Sequence, residues 1–198
     1  MGANMKELIV ASNNANKIKE YKSILEPLGF KVMSQSEAGI NIEVEETGTT
    51  FEENSLLKGQ AIYDITHKNV IADDSGMEVT ALNNEPGIYS ARYKGIESAL
   101  ERNKYILSAL KNAKDRSARF ICTICYINES GEHKMFKGIW PGRIAKNMSG
   151  NNGFGYDPIF IGEGKRCTTA NLDPEEKNKI SHRGRATKML LEYLKSVK

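Results

Sequence analysis

The sequence predicts an α/β protein built on one mixed sheet, and three observations carry that prediction. In the N-terminal part, short apolar strands alternate with amphipathic helices, the pattern of parallel strands joined by helical crossovers. Further on, "ARFICTICYIN" and "HKMFKGIWPGRIA" flank "ESGE" and read as an antiparallel hairpin. No repeat, linker or low-complexity tract divides the 198 residues, a length that suits one domain with a sizeable core. That domain is expected to span 5–198, with Met5 as the natural start and 1–4 as a tag remnant or N-terminal extension.

Taken in order, "KELIVAS" is a short strand ending in the polar turn "NNANK". Ile18, Tyr21, Ile24, Leu25 and Leu28 then mark the inner face of a helix closed by Gly29. "FKVMSQ" is the next strand. "EETGTTFEENSLLKGQAIYDITHK" opens as a loop and becomes a helix, with Phe51, Leu57, Ala61 and Ile65 expected inward. "NVIADDSG" is a strand that "EVTAL" continues, and "NNEPGIYSARYKG" is a loop rich in Gly, Pro and Tyr. "IESALERNKYILSALKNA" is helical, with Leu100, Leu107 and Leu110 on one face. After the hairpin, "KNMSGNNGFGYDP" is a glycine-rich loop and "IFIGEG" a short strand. The last helix is expected to bury Ala186, Met189, Leu190, Tyr193, Leu194 and Val197.

Composition excludes several classes. At 39% hydrophobic and 27% charged, the chain is that of an ordinary soluble domain. No apolar stretch approaches the roughly 18 residues that a membrane span needs. The N-terminus lacks an apolar signal-peptide segment, and Lys6 stands where a myristoylation motif wants Ser or Thr, so the expectation is a cytoplasmic protein with no membrane partner. Three cysteines make no disulfide framework. Cys122 and Cys125 lie three apart on a strand and point to opposite faces, so they read as small core residues rather than a metal or redox pair. His67, His133 and His182 are too scattered for a zinc site. Net charge is only +3, but from Lys165 onward there are nine basic and four acidic residues, leaving the remainder slightly acidic. That polarity suits a metal-bound polyphosphate as well as a nucleic acid.

Four stretches carry chemistry. In "VIADDSGMEVTA" an apolar run stops at Asp73 and Asp74. Two adjacent like charges leaving a core need a positive partner; the readings are an ordinary Asp-Ser-Gly turn or a metal or acid–base site. "ASNNANKIKE" runs from strand through turn to helix, which aims backbone N–H groups and the positive end of the helix at one spot, with Lys17 in reach of a second phosphate. Its lack of Walker glycines rules out a P-loop. Glu45, Glu46, Glu52 and Glu53 form a second acidic cluster. One Glu from it and one Asp from the first suffice for Mg²⁺, which takes one or two carboxylates plus phosphate oxygens and water. Glu52 and Glu53 also fit the first turn of a helix, where acids are favoured.

The third stretch, "GNNGFGYDPIF", lets the backbone approach a flat ligand, with Phe154 or Tyr156 stacking on it; the alternative is a tight hairpin with a core Phe. The fourth, "EEKNKISHRGRA", clusters Lys177, His182, Arg183 and Arg185 before a helix, either to meet a polyanion and carbonyl oxygens or as a solvated basic turn. Together the four ask for a ligand with a polyphosphate, a divalent ion and a base: a nucleoside triphosphate.

The stretches "SNNANK", "EETGTTFEENSLLKGQA", "IADDSGMEV", "PGIYSARYKG", "GFGYDPIF" and "ISHRGRA" appear in that order from residue 12 to 186. In this they resemble the inosine/xanthosine triphosphate pyrophosphatase family. The resemblance implies an elongated, twisted mixed sheet flanked by helices, with two lobes around an active-site cleft, usually as a homodimer. It implies Mg²⁺-dependent hydrolysis of ITP, dITP and XTP to the monophosphate and pyrophosphate, cleansing the nucleotide pool. By position it assigns the phosphates to Ser12, Asn13, Asn14, Ala15, Asn16 and Lys17. It assigns the catalytic carboxylate and a metal ligand to Asp74 and the second metal ligand to Glu46, with Glu45 as the alternative. Substrate contacts fall on Ser75, Phe154, Gly155, Tyr156, Asp157, Lys177, His182 and Arg183, and more loosely on Lys58 and Arg92. Asp73 is expected to face away from Asp74, since neighbours on an extended chain point oppositely. The alternatives are a pyrophosphatase or phosphatase acting on other modified nucleotides, and a nucleic-acid-binding module, which leaves the acidic clusters unexplained.

Overall fold

The computed structural model describes residues 6–197; the expectation for residues 1–4 falls outside them. The elements follow the order read from the sequence. Strand β1 (Lys6–Val10) leads into helix α1 (Ala15–Leu25), and β2 (Phe30–Ser34) follows. Helix α2 (Phe51–Thr66) precedes β3 (Val70–Val79), and α3 (Ala99–Ala109) precedes β4 (Ser117–Ile127) and β5 (His133–Ile144). Strand β6 (Phe160–Gly162), α4 (Pro174–Ile180) and α5 (His182–Ser196) complete the chain.

Six strands form one sheet in the order β2-β1-β3-β4-β5-β6. β1 pairs in parallel with β2 (Lys6 opposite Phe30) and with β3 (Ile9 opposite Val70), as helical crossovers require. β5 pairs antiparallel with β6. β4 and β5 are neighbours joined by the tight turn at 128–132, where the Gly131 N–H donates to the Asn128 carbonyl, so the hairpin reading holds. No helix among the described residues is long and apolar enough to cross a membrane.

The chain divides into two compact units, and β3 passes from the first to the second at the Asp74–Ser75 peptide. The first unit holds the chain up to Asp74, Thr123–Lys137 and Ala186 onward. Its core packs Ile9, Ala11, Ile62, Val70, Ala72, Cys125 and Ile127. The second unit holds Ser75–Cys122 and Gly138–Arg185. Its core is aromatic, with Phe160 edge-on to both Phe120 and Trp140. Cys122 and Cys125 are both fully buried, as small core residues should be.

Local chemistry explains the helix starts. Asn14 caps α1 by accepting from the Asn16 and Lys17 N–H groups. Thr50 caps α2 by accepting from the Glu53 N–H, while the Glu53 carboxylate reaches back to Thr49.

Four inward faces differ from the pattern expected. In α2 the buried positions are Phe51, Asn54, Ser55, Gly59 and Ile62, whereas Leu57 and Ile65 are exposed. A Cβ on Gly59 would stand 3.2 Å from Ile127 Cδ1, so at that position the helix comes too close to its neighbour to hold a large side chain. In α5 Ala186, Leu190 and Leu194 are buried, but Met189 lies on the flank and Val197 beyond the end, and both are exposed. Leu28 and Leu100 are also exposed; Ile106 and Leu110 carry the inner face of α3.

Candidate active site

The first unit gathers the turn after β1, the carboxylates and the lysines. In the turn, the Ser12 N–H donates to the Val10 carbonyl, the Asn14 N–H to Ser12 Oγ, and the Asn16 and Lys17 N–H groups to Asn14 Oδ1. Capping therefore already uses most of the amides that the sequence pattern offered to a phosphate. The Asn13 and Ala15 N–H groups find no protein acceptor among the described residues, so the positive end of α1 is presented through them.

The aspartate pair lies within β3, at the point where this strand leaves the first unit. Asp73 and Asp74 are both buried, and the two side chains meet different partners. Lys17 Nζ stands 3.0 Å from the Asp73 carboxylate, whose side chain is fully buried. Asp74 Oδ2 accepts from Asn54 Nδ2 at 3.2 Å. Lys58 Nζ lies 3.5 Å from Asp74 Oδ1 and 2.6 Å from Glu46 Oε1. One ammonium thus sits between two carboxylates that are far apart in sequence. Burial pushes the Asp74 carboxyl above its usual range and the Glu46 charge adds to that, against the opposing pull of Lys58, Lys17 and the Asn54 amide. Burial works against the Lys58 charge, but Asp74, Asp73 and Glu46 outweigh it and hold the ammonium above its ordinary value. Glu45 is exposed and Glu46 half-buried, so Glu46 is the one that faces this group. Glu52 pairs with Lys137 at 2.9 Å and Glu53 caps its helix, leaving both at the helix start.

The second unit gathers the aromatic and basic residues around the loop at 150–158. Asp157 Oδ2 accepts from the Phe154 N–H at 2.8 Å and from Lys177 Nζ at 2.7 Å, with both charged side chains almost wholly buried. A Cβ on Gly153, at φ +75°, would stand 2.0 Å from Asp157 Oδ2, so only glycine admits this closed turn. Asn103 Nδ2 donates to the Gly155 carbonyl at 3.0 Å. Tyr156 turns into the core and donates its hydroxyl to the Ser90 carbonyl at 2.8 Å, and burial pushes that phenol up to about 12. Tyr156 and Asp157, expected among the substrate contacts, therefore hold the loop. Phe154 stays half-buried, with Lys177 Nζ 4.9 Å and Arg183 Cζ 5.9 Å from its ring centre.

Arg183 is buried and donates from Nη2 to Ser75 Oγ at 2.9 Å. The His182 ring stacks on Phe120, with centroids 4.6 Å apart and planes 11° from parallel. Arg92 is exposed, its guanidinium 5.4 Å from the Tyr89 ring centre. Two residues escaped the sequence reading: Asn54, which meets Asp74, and Asn103, which meets Gly155. The signal was there, since each is a poor helix former placed inside a helix.

Known proteins resemble this chain over nearly its whole length. The model of the Ham1 family matches residues 8–193. The dITP/XTP pyrophosphatase of Staphylococcus aureus (strain MRSA252) is 48% identical over 191 residues, covering 96% of this chain and 97% of that protein. The dITP/XTP pyrophosphatase of Bacillus subtilis (strain 168) is 46% identical over 195 residues, covering 97% and 98%. The solved structure of the Staphylococcus aureus Ham1 protein superposes with a TM-score of 0.87 at 46% identity, over 98% of this chain and 100% of that one.

Proposed function

The chain belongs to the Ham1 family, and on that premise we propose that it is a nucleoside triphosphate pyrophosphatase that hydrolyses dITP, XTP and ITP to the monophosphate and pyrophosphate with Mg²⁺. The observation that carries the metal-dependent part is the Lys58 ammonium held by Glu46 and Asp74 at once. Two carboxylates that converge on one cation form a hard-oxygen donor pair. Mg²⁺ takes one or two carboxylates, and phosphate oxygens and water would complete the set. The donors fit the ion, and Glu46 and Asp74 would hold it. Bound there, it neutralises charge on the phosphates and the leaving pyrophosphate.

The protein's own groups supply the rest. Lys17 and the Asn13 and Ala15 N–H groups bind phosphate oxygens at the positive end of α1. Asp74 orients the attacking water and takes its proton; its raised affinity for protons suits that role. The water oxygen bonds to the α-phosphorus, the bond from that phosphorus to the bridging oxygen breaks, and pyrophosphate departs with the electron pair.

In the second unit the purine stacks on Phe154, with Ser75, Lys177, His182 and Arg183 as the polar surroundings. Donors aimed at the 6-keto oxygen favour hypoxanthine and xanthine, and an amino group that leaves a donor unpaired is rejected by several kcal/mol. The same reading makes the protein a cytoplasmic homodimer that clears the nucleotide pool.

The test incubates the protein with dITP, XTP, ITP, GTP and ATP, with Mg²⁺ or with EDTA, and identifies the products; sedimentation equilibrium measures assembly. Pyrophosphate from the first three, Mg²⁺-dependent and at least tenfold faster than from ATP, is expected. Orthophosphate as the product, or turnover in EDTA, refutes the reading.

A further inference from the structure

We propose that Asn54 is a positioning residue that sets the Asp74 carboxylate against the segment carrying Glu46 through a single buried amide. The inference rests on the catalytic reading of Asp74 and adds a residue that touches neither substrate nor metal. Asn54 is wholly buried in the first turns of α2. Both ends of its amide are engaged. Oδ1 accepts from the Gly48 N–H at 2.9 Å, and Nδ2 donates to Asp74 Oδ2 at 3.2 Å. The first bond decides the second: the Gly48 donor requires an oxygen opposite it, so the amino group faces the carboxylate.

Gly48 lies two residues after Glu46, and its closeness is built in. A Cβ there would stand 2.7 Å from Asn54 Oδ1 and 2.7 Å from Glu53 Cβ, so only glycine brings this backbone onto the helix. The platform is rigid, because the Asn54 N–H also bonds the Thr50 carbonyl and Thr50 and Glu53 cap the same turn. Lys58 follows Asn54 by four residues on the same helix face and meets Glu46 and Asp74. The lysine supplies charge on a flexible stem, whereas the amide supplies direction. An amide that holds one oxygen of Asp74 leaves the other, Oδ1, turned toward Lys58.

A misplaced carboxylate costs rate rather than ground-state binding, and about 1 Å of displacement is worth roughly 100-fold. Two variants separate the two bonds. Asn54→Leu removes both at similar volume; Asn54→Asp keeps an acceptor for Gly48 and puts a second carboxylate opposite Asp74. With dITP, both are expected to lose about 30- to 100-fold in kcat with KM within about threefold of wild type. Hydrogen–deuterium exchange of residues 47–50 should quicken in Asn54→Leu and stay at the wild-type rate in Asn54→Asp. If Asn54→Leu does not fold, Asn54→Asp decides. A kcat within threefold of wild type in Asn54→Asp, or a loss confined to KM, overturns the proposal, as does equal exchange in all three proteins. Wild-type protein that releases no pyrophosphate overturns the functional reading instead, and the exchange comparison still judges the Gly48 tether.

Discussion

Replacing Lys177 by Met tests how the 150–158 loop is held. Lys177 Nζ lies 2.7 Å from Asp157 Oδ2, and the side chains are 6% and 3% exposed. At that burial, solvent screens little of the interaction, and removing the cation leaves a carboxylate in the core that has lost its ammonium partner and keeps the Phe154 N–H as a donor. Methionine fills most of the volume, so the cavity contribution is small. Breaking a buried pair from one side costs about 3–5 kcal/mol. For a domain of this size each kcal/mol moves the midpoint by about 2–4 °C, so Tm should fall by about 10 °C. Thermal unfolding followed by circular dichroism reads the shift, and urea unfolding reads the free energy. Adding Asp157→Asn to the Lys177→Met protein should recover at least half of the loss, because the amide still accepts from the Phe154 N–H without carrying a charge. A single variant within about 1 kcal/mol of wild type, or a double variant no better than the single, would show that the pair does not hold the loop.

The other expectations concern catalysis, binding and the turn itself. Asp74→Asn should lower kcat by at least about 1,000-fold while the far-ultraviolet spectrum is unchanged, and near-normal turnover refutes its role in handling the water. Lys17→Ala should raise KM for the triphosphate by about tenfold and leave nucleoside affinity unaltered, as loss of one charged phosphate contact predicts; an unchanged KM removes Lys17 from the phosphate site. Gly153→Ala forces a Cβ onto the Asp157 carboxylate at positive φ and should destabilise by about 2–4 kcal/mol in urea unfolding; wild-type stability there contradicts the closed turn.

The legible part of this molecule was local. The polar turn before α1 and the acidic first turn of α2 show in the sequence because turn and helix-start chemistry acts within a few residues. The apolar start of β3 and the hairpin of β4 and β5 show in hydrophobic spacing alone. Phe154 and Tyr156 were equivalent in sequence. The core took one of them, because Tyr156 alone finds the Ser90 carbonyl for its hydroxyl, and the other stays beside two cations. The face of α2 was partly misread: apolar spacing pointed to Leu57 and Ile65, while the face that packs holds Phe51 and Ile62 with Asn54, Ser55 and Gly59 between them, where Gly59 comes close to Ile127 and Ala72.

The sequence by itself determined which elements form, in what order, and which chemical groups each carries to its end, since propensities, caps and turns act over a few bonds. It also determined that two acidic clusters, a cationic cluster and an aromatic loop exist to be combined. Only the tertiary structure decided who meets whom: Lys17 with Asp73, Lys58 with both Glu46 and Asp74, and Asn54 between Gly48 and Asp74. The meetings of Lys58 and Asn54 depend on how α2 is rotated against β3, and that rotation is set by packing among residues distant along the chain, where a turn of one residue would send the same side chains to solvent.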